Sequence, residues 1–252
     1  MSAPLKPLKW YRDLATRKGR LAAGAFAVEG DRAIRQIISA QPEKVVEILS
    51  VEKRPPDFKG YPVRLITETQ FRAISSTRTP QGIMAVVRMP AEIDSPELPP
   101  DPGSRVLLLE DIQDPGNIGT LIRSAAAFGY SGVLLTAKSA DPLSPKCVQS
   151  SAGTVMAVWL RRTNRYMELV RHLQANSYCL VAADPSGFED PSVLSRREKV
   201  LLALGNEAAG LSKQLLNAAD CRLRIPTVRE KAESLNVAAA GAICMYLSFQ
   251  RR

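Results

Sequence analysis

Residues Glu110–Gly129 read EDIQDPGNIGTLIRSAAAFG and directly follow the apolar run Val106–Leu109. A short apolar run bounded by turn residues is typical of a buried strand. Asp114–Asn117 (DPGN) predicts a turn. After it, Ile118, Leu121, Ile122, Ala125 and Ala126 recur at helical spacing, and Gly129 ends the predicted helix. Strand, polar turn and helix in succession predict an α/β fold.

Two later stretches repeat this arrangement of an apolar run followed by Gly, Asn, Pro or Ser. They are Leu202–Leu211 (LALGNEAAGL) and Ile225–Gly241 (IPTVREKAESLNVAAAG). In open α/β sheets, ligands bind in the crevice at the carboxyl ends of the strands. The three stretches therefore predict one composite site.

The rest of the second half continues the alternation of strands and helices. The predicted strands, after Val106–Leu109, are Gly132–Leu135, Met156–Leu160, Tyr178–Ala182 and Val200–Leu204. The predicted helices are Arg165–Ala175, Ser212–Ala218 and the long apolar Leu235–Phe249. Alternation of this kind predicts a mostly parallel sheet with helices on both faces.

Several common kinds of site have no support in the sequence. Neither G-x-G-x-x-G nor G-x-x-x-x-G-K-[ST] occurs, so a dinucleotide site or a P-loop has no motif behind it. His172, the single histidine, falls in a predicted surface helix, and the four cysteines form no C-x-x-C pair. We therefore expect no metal site and reduced cysteines.

The three stretches resemble motifs 1, 2 and 3 of the SpoU (TrmH-like) RNA ribose 2′-O-methyltransferases of the SPOUT superfamily. Motif 1 carries Asn117 and Arg123, motif 2 is Gly205-Asn206-Glu207, and the centre of motif 3 is Glu233–Val237 (ESLNV). The resemblance covers Pro80–Arg252 and extends more loosely to Gly30–Ile34 and Ser76–Ile83. It implies a deep trefoil knot, a methyl donor, S-adenosylmethionine, bound in that knot, and a homodimer.

The resemblance also implies which residues act. It places Arg123, Asn117, Glu207, Ser234 and Asn236 at the catalytic site. Arg123 has two possible roles, as a base or as a ligand for the target phosphate, and we favour phosphate binding because a guanidinium keeps its proton. Asn117, at the helix start, is also a candidate N-cap, and Ser234 and Asn236 are candidate caps of the last helix. Glu207 suits a helix start, where a carboxylate is favourable.

The donor contacts implied by the resemblance are mostly backbone and apolar groups. An adenine ring fits an apolar slot with a few N–H and C=O partners. The implied cofactor-binding residues are Leu204, Gly205, Asn206, Gly210, Ile225, Pro226, Ser234 and Leu235. One departure lies in Thr227–Ala232, which holds no glycine where family members usually carry one. Its charged residues, Arg229, Glu230 and Lys231, are expected to face solvent or RNA.

The first part of the chain predicts a separate RNA-binding module. Five prolines within Met89–Gly103 indicate an interdomain linker. We therefore expect an α/β RNA-binding domain at residues 1–89, a linker at 90–103 and the methyltransferase domain at 104–252. The predicted elements of the first domain are a helix at Ala33–Ser39, strands at Val45–Ser50 and Val63–Ile66, a helix at Glu68–Ile74 and a strand at Ile83–Val87.

Charge favours a nucleic-acid partner, because the formal net charge is +9 and basic residues attract phosphates. The first twenty residues predict a basic arm with Lys6, Lys9, Arg12, Arg17, Lys18 and Arg20. Trp10 and Tyr11 within it are candidates either for stacking on bases or for attaching the arm to the domain.

Function is predicted from these observations together. We expect methylation of ribose 2′-hydroxyls in large-subunit (23S) ribosomal RNA, with transfer RNA as the second substrate candidate. A non-catalytic RNA-binding or ribosome-assembly factor on the same scaffold is the main alternative, and a small-molecule methyltransferase is disfavoured by the basic charge. No apolar run reaches the ~20 residues of a membrane span, and no secretory signal is recognisable, so we expect a cytoplasmic protein.

Overall fold

The computed structural model describes residues 6–51, 58, 60–228, 230–231 and 234–249. The chain divides into two compact units. Unit 1 comprises Met1–Pro90 with Asp141–Ala157, and unit 2 comprises Ala91–Ala140 with Val158–Arg252. None of the described helices is long and apolar enough to cross a lipid bilayer.

The described residues form strands and α-helices that alternate along most of the chain. The strands are β1 (Ala25–Glu29), β2 (Val45–Ser50), β3 (Val63–Leu65), β4 (Ile83–Arg88), β5 (Arg105–Leu109), β6 (Gly132–Thr136), β7 (Trp159–Thr163), β8 (Cys179–Ala183), β9 (Val200–Leu204) and β10 (Cys221–Leu223). The helices are α1 (Leu8–Asp13), α2 (Arg17–Ala23), α3 (Asp31–Ala40), α4 (Glu68–Ile74), α5 (Pro115–Ala127), α6 (Pro145–Ser150), α7 (Tyr166–Ala175), α8 (Lys213–Ala218) and α9 (Val237–Phe249).

Unit 2 is built on a six-stranded parallel sheet in the order β10-β8-β9-β5-β6-β7. Every residue of β5, β6 and β9 is buried, as expected for strands covered on both faces. The chain runs outward from β5 through β6 to β7 and then returns to build β8 and β9 on the other side of β5. Such a reversal of direction marks the position of ligand sites in α/β sheets. The predicted α/β fold with a parallel sheet is confirmed.

Unit 1 has a smaller mixed sheet in the order β1-β4-β2-β3. β4 pairs antiparallel with β1 and β2, and β3 pairs parallel with β2. A buried cluster that includes Phe71 of α4, Leu49 and Met84 fills one face. The start of α4 is held by a capping box, in which Thr67 and Gln70 each bond the other's backbone N–H.

Within the predicted basic arm, residues 8–13 form α1 and residues 17–23 form α2. Tyr11 is buried, and its hydroxyl donates to Glu47 Oε1 at 3.0 Å. Trp10 packs edge-on against Tyr11, with ring centroids 5.1 Å apart. The aromatic pair therefore attaches α1 to the domain, and stacking of Tyr11 on bases is excluded by its burial. The sequence does not predict α1 and α2 because neither is long enough to show apolar residues repeating at helical spacing.

The predicted strand Met156–Leu160 starts too early. Thr154–Met156 is a 3₁₀ turn, and β7 runs from Trp159 to Thr163. The sequence does not predict the second half of β7 because it contains Arg161 and Arg162, and charged residues are not typical of a buried strand. Arg161 is buried, pairs with Glu92 and donates to the backbone oxygen of Glu97 at 2.7 Å. Glu92 and Glu97 lie in the segment predicted as a linker, which thus contacts β7.

The connection between β6 and β7 belongs to unit 1, which the sequence does not reveal. Arg20 is buried and forms an ion pair of 2.6 Å with Asp141. The Gln41 side chain donates to the backbone oxygen of Met156 at 2.9 Å. Residues 141–157 are therefore part of the smaller unit although they lie between two strands of the larger sheet.

Candidate active site

The candidate site lies at the carboxyl ends of β5 and β9, which are adjacent strands with Leu109 opposite Leu204. The loop after β5 leads through Asp114 into α5, and the loop after β9 contains Gly205, Asn206 and Glu207. Motifs 1 and 2 are far apart in the sequence, but they lie close together in the structure because β5 and β9 are neighbours in the sheet.

Glu207 joins the two loops through three accepted hydrogen bonds. Its carboxylate accepts from the backbone N–H groups of Gln113 and Asp114, at 3.2 and 3.3 Å, and from Asn117 Nδ2 at 3.0 Å. Partial burial opposes ionisation, but these hydrogen bonds outweigh it and hold the pKa of Glu207 below its ordinary value. Glu207 is therefore an ionised positioning group at neutral pH and a weak base.

Asn117 continues the chain of hydrogen bonds to the third motif. Asn236 Nδ2 donates to Asn117 Oδ1 at 3.2 Å, while Asn117 Nδ2 donates to Glu207. The other end of the Asn236 amide caps α9, because its Oδ1 accepts from the N–H groups of Ala238 and Ala239. The three motifs are thus linked, side chain to side chain, within unit 2.

Asn117 is not the N-cap of α5, and that expectation is wrong. Asp114 takes this position, and its Oδ1 accepts from the N–H of Gly116 at 2.9 Å. Pro115 occupies the first helical position, where its missing N–H costs nothing. Asn117 therefore sits in the first turn with its amide available for Glu207 and Asn236.

Asn206 fixes the loop after β9 against the loop after β5. Its Nδ2 donates to the backbone oxygen of Asp111 at 2.8 Å, and its Oδ1 accepts from the N–H groups of Ala208 and Ala209. The backbone of Asn206 exchanges two hydrogen bonds with Gly210, which has a φ of 68°. A Cβ at Gly205 would overlap the backbone of Gly210 and Leu211, so only glycine fits this turn.

The remaining predicted donor-binding residues differ in their exposure to solvent. Leu204 is buried, Ile225 is half-buried, and Pro226 and Leu235 are exposed. Ile225 and Pro226 follow β10, which is separated from β9 by β8, and Leu235 immediately precedes α9. Ser234 is exposed and forms no hydrogen bond with the described part of the chain. Of the motif-3 residues, Arg229, Ala232 and Glu233 lie outside the described residues.

Arg123 does not join the hydrogen-bond chain of the other predicted catalytic residues. It is exposed on α5 and makes no ion pair or hydrogen bond with any described residue. It lies six positions after Asn117, which on an α-helix corresponds to about 9 Å along the axis and roughly 120° around it. Its guanidinium is therefore available for a ligand from outside the chain.

Glu110 and Asp111 are supporting residues that the sequence analysis missed. Glu110 is buried and accepts from Tyr166 Oη and from the N–H of Ser212, both at 2.7 Å. Burial and the neighbouring Glu110 carboxylate raise the pKa of Tyr166 to about 12. Asp111 has a φ of 56°, unusual for a residue other than glycine, and its carboxylate accepts from Thr136 Oγ1 at 2.7 Å. The available signal was a pair of acids directly after an apolar strand.

No group of three His, Cys, Asp or Glu side chains suited to a metal ion occurs among the described residues. None of the four cysteines forms a disulfide within the described part of the chain, and Cys147 and Cys244 are buried.

Two known protein families match the sequence of this chain. Residues 104–246 match the sequence model of the SpoU rRNA Methylase family, and residues 6–85 match that of the MRM3-like substrate binding domain. The chain is 32% identical over 250 residues to the 23S rRNA (guanosine(2553)-2′-O)-methyltransferase RlmP of Bacillus subtilis, covering 97% of this chain and 96% of that protein. It is 30% identical over 276 residues to the 23S rRNA (uridine(2479)-2′-O)-methyltransferase of Streptomyces viridochromogenes, covering 97% and 89%.

Solved structures agree with the sequence comparison. The SpoU methyltransferase AviRb from Streptomyces viridochromogenes, in complex with the cofactor AdoMet, superposes with a TM-score of 0.85 at 26% identity, covering 99% of this chain and 98% of that one. An AdoMet-bound rRNA methyltransferase from Sinorhizobium meliloti gives a TM-score of 0.82 at 26% identity, covering 99% and 97%. The chain belongs to the SpoU rRNA methylase family.

Proposed function

We propose that the protein transfers a methyl group from S-adenosylmethionine to a ribose 2′-hydroxyl of RNA, and that its substrate is large-subunit (23S) ribosomal RNA. The observation that carries the proposal is the hydrogen-bond chain Glu207–Asn117–Asn236, which joins the three motifs at the carboxyl ends of β5 and β9. The relatives named for 23S ribosomal RNA align over nearly the whole chain, which favours ribosomal over transfer RNA.

The turn after β9 fits the proposed donor. Nothing lies within 4 Å of the position that a Cβ would take on Gly210, so the outer face of the turn is open. Leu235, 38% exposed, and the exposed Pro226 offer apolar surface for an adenine ring. We propose that Leu204, Gly205, Asn206, Gly210, Ile225, Pro226, Ser234 and Leu235 hold the donor. When bound, the donor supplies an electrophilic methyl group whose leaving thioether is uncharged.

The residues of the chain then have to orient and deprotonate a weakly nucleophilic hydroxyl. Glu207 is unsuited to be the base, because its pKa is lowered and its oxygens already accept three hydrogen bonds. We propose that Glu207 and Asn117 keep the loop after β5 in place. Ser234 and Asn236 are proposed to bind the target nucleotide.

Arg123 is proposed to bind the phosphate of the target nucleotide. A guanidinium keeps its proton at neutral pH and matches phosphate oxygens in a bidentate manner. Its exposure and its lack of partners in the described part of the chain suit this role. The proton of the 2′-hydroxyl then passes to a phosphate oxygen, and Arg123 holds that phosphate in position.

A homodimer and a trefoil knot are also part of the proposal. The α9 face that carries Ile243, Tyr246 and Phe249 leaves these side chains 38%, 48% and 37% exposed, which is unusual for large apolar groups clustered on one helix. A second copy of the chain would cover this face. α9 packs against both α5 and the 191–196 segment that precedes β9. The trefoil knot is proposed from the membership of the SpoU family. We also propose action in the cytoplasm, without a metal ion.

The decisive experiment is methyl transfer with mapping of the product. Purified protein is incubated with radiolabelled S-adenosylmethionine and unmodified 23S ribosomal RNA or transfer RNA, and the labelled nucleotide is located. We expect label on one ribose of 23S ribosomal RNA. Label on transfer RNA would correct the substrate, and donor binding without transfer to any RNA would instead support a non-catalytic RNA-binding or ribosome-assembly factor.

A further inference from the structure

Unit 1 contains a cavity of about 740 Å³ that the proposed chemistry does not use. The segment 77–82 lines it on one side, and its apolar lining comes from Val51, Phe71 and Pro80. Cavities of roughly 300–1,000 Å³ are typical of small-molecule sites, so one nucleotide can be accommodated. The cavity lies within residues 6–85, which match a substrate-binding domain.

The segment that lines the cavity is held by hydrogen bonds at both ends. The Glu29 carboxylate accepts hydrogen bonds from Ser75 Oγ, Ser76 N–H, Ser76 Oγ and Thr77 Oγ1, at 2.7 to 3.0 Å. At the other end Gly82 has a φ of 74°, and its backbone oxygen accepts from the N–H of Val51 at 2.9 Å. A binding loop fixed in this way loses little conformational entropy when a ligand arrives.

Between the two fixed ends of this segment, three polar side chains are available to bind a ligand. Arg78, Thr79 and Gln81 line the cavity, and their side chains form no ion pair or hydrogen bond within the described part of the chain. A guanidinium, a hydroxyl and a carboxamide are the groups that bind a phosphate and the hydrogen-bonding edge of a base.

The charge at the cavity is modestly positive. Arg72 also lines it but lies 3.7 Å from Glu68, and both side chains are about three-quarters exposed. Glu68 therefore offsets Arg72, and Arg78 is the cation that remains for a phosphate.

We propose that this cavity binds an unpaired nucleotide of the RNA substrate, with its phosphate on Arg78 and its base edge on Thr79 and Gln81. The proposal rests on RNA being the substrate and adds a site of recognition within unit 1. Unpaired nucleotides suit it, because sequence-specific recognition of RNA mostly uses bases splayed out of loops and bulges.

Two substitutions on exposed residues of the full-length protein test the cavity. Arg78→Ala removes the phosphate contact, and Thr79→Trp fills the cavity while both arginines stay in place. Arg32→Ala serves as the matched control, since Arg32 is an exposed arginine of the same unit that does not line the cavity. Each protein is titrated with unmodified 23S ribosomal RNA over a series of salt concentrations, and donor binding and methyl transfer are measured alongside.

We expect Arg78→Ala to weaken RNA binding about tenfold at 0.1 M salt and to lower the log–log salt slope by about 1. Thr79→Trp should weaken binding roughly fivefold or more with an unchanged slope, because base contacts are lost and phosphate contacts are kept. Both variants should bind S-adenosylmethionine like wild type, and the control should match wild type in all three measurements.

Wild-type RNA affinity in both cavity variants, or an equal loss in Arg32→Ala, would overturn the proposal. This outcome differs from a failure of the proposed function, in which the wild-type protein binds 23S ribosomal RNA but methylates none. The binding titrations test the cavity whether or not methyl transfer is observed, because they measure RNA affinity alone.

Discussion

Replacement of Glu207 by glutamine tests whether the three-motif hydrogen-bond chain positions the site. Glutamine keeps one acceptor oxygen for Asp114 and Asn117 but turns its NH₂ group towards the backbone N–H of Gln113, so one of three hydrogen bonds is lost. The other two lose the assistance of the charge. Hydrogen bonds to charged groups contribute about 1.5–3 kcal/mol, and the exposure of Glu207 reduces this, so we take a loss of about 1.4 kcal/mol.

A loss of about 1.4 kcal/mol in the transition state lowers kcat/KM about tenfold. The assay is methyl transfer to 23S ribosomal RNA at pH 7, with donor binding measured by calorimetry. Glu198→Gln is the matched control, because Glu198 is an exposed glutamate of the same unit with no partner in the described chain. An activity of Glu207→Gln within about twofold of the control would refute the positioning role, since the tenfold loss expected from ~1.4 kcal/mol would be absent.

The pH dependence of stability gives an independent check. The pKa of Glu207 is lowered in the folded protein, so its ionised form stabilises the fold above its unfolded-state pKa of about 4.3. This stabilisation is lost as the pH falls through the lower folded-state value. Urea unfolding should therefore separate wild type from Glu207→Gln at pH 7, and the difference should shrink towards pH 3.

Three further substitutions test other parts of the site. Arg123→Ala should abolish methyl transfer with nearly unchanged donor binding. The control Arg171→Ala, which changes an exposed arginine on α7, should behave as wild type. Substantial turnover by Arg123→Ala would exclude a catalytic role for Arg123. Gly205→Ala should weaken donor binding by about 1–3 kcal/mol, because its Cβ overlaps the backbone of Gly210, and unchanged calorimetry would contradict this. Tyr246→Glu should convert a dimer to a monomer in sedimentation, because it places a charge on the exposed α9 face, and an unchanged mass would exclude that face as the interface.

The sequence alone predicts the central strands of the unit 2 sheet well, because they are covered on both faces, but it does not predict the short edge strand β10. Val200–Leu204 is predicted to the residue, since five consecutive apolar residues between a lysine and a glycine allow little else. The prediction of β7 is misplaced because the strand contains Arg161 and Arg162, whose partners lie at distant positions in the chain. The sequence could not indicate that residues 141–157 belong to unit 1, because Arg20 and Gln41 are more than a hundred residues away.

The residues of the candidate site can be predicted from the sequence, but the hydrogen bonds among them cannot. Asn117, Glu207 and Asn236 were identified by motif, whereas the hydrogen bonds among them depend on the strand order that makes β5 and β9 neighbours. The sequence favoured Asn117 as a cap, because an asparagine at a helix start is usually one, and the preceding Asp114 has taken that place. The catalytic and donor-binding roles of these residues stay predictions.

The loops after separate strands are expected to form a single pocket for the methyl donor. The most direct measurement is an NMR titration of the ¹⁵N-labelled protein with S-adenosylmethionine, observing the side-chain amides of Asn117, Asn206 and Asn236 and the backbone N–H groups of Gly205 and Gly210. We predict that all of these signals shift together with one dissociation constant. Shifts confined to one loop, or different dissociation constants for the loops, would contradict a shared pocket.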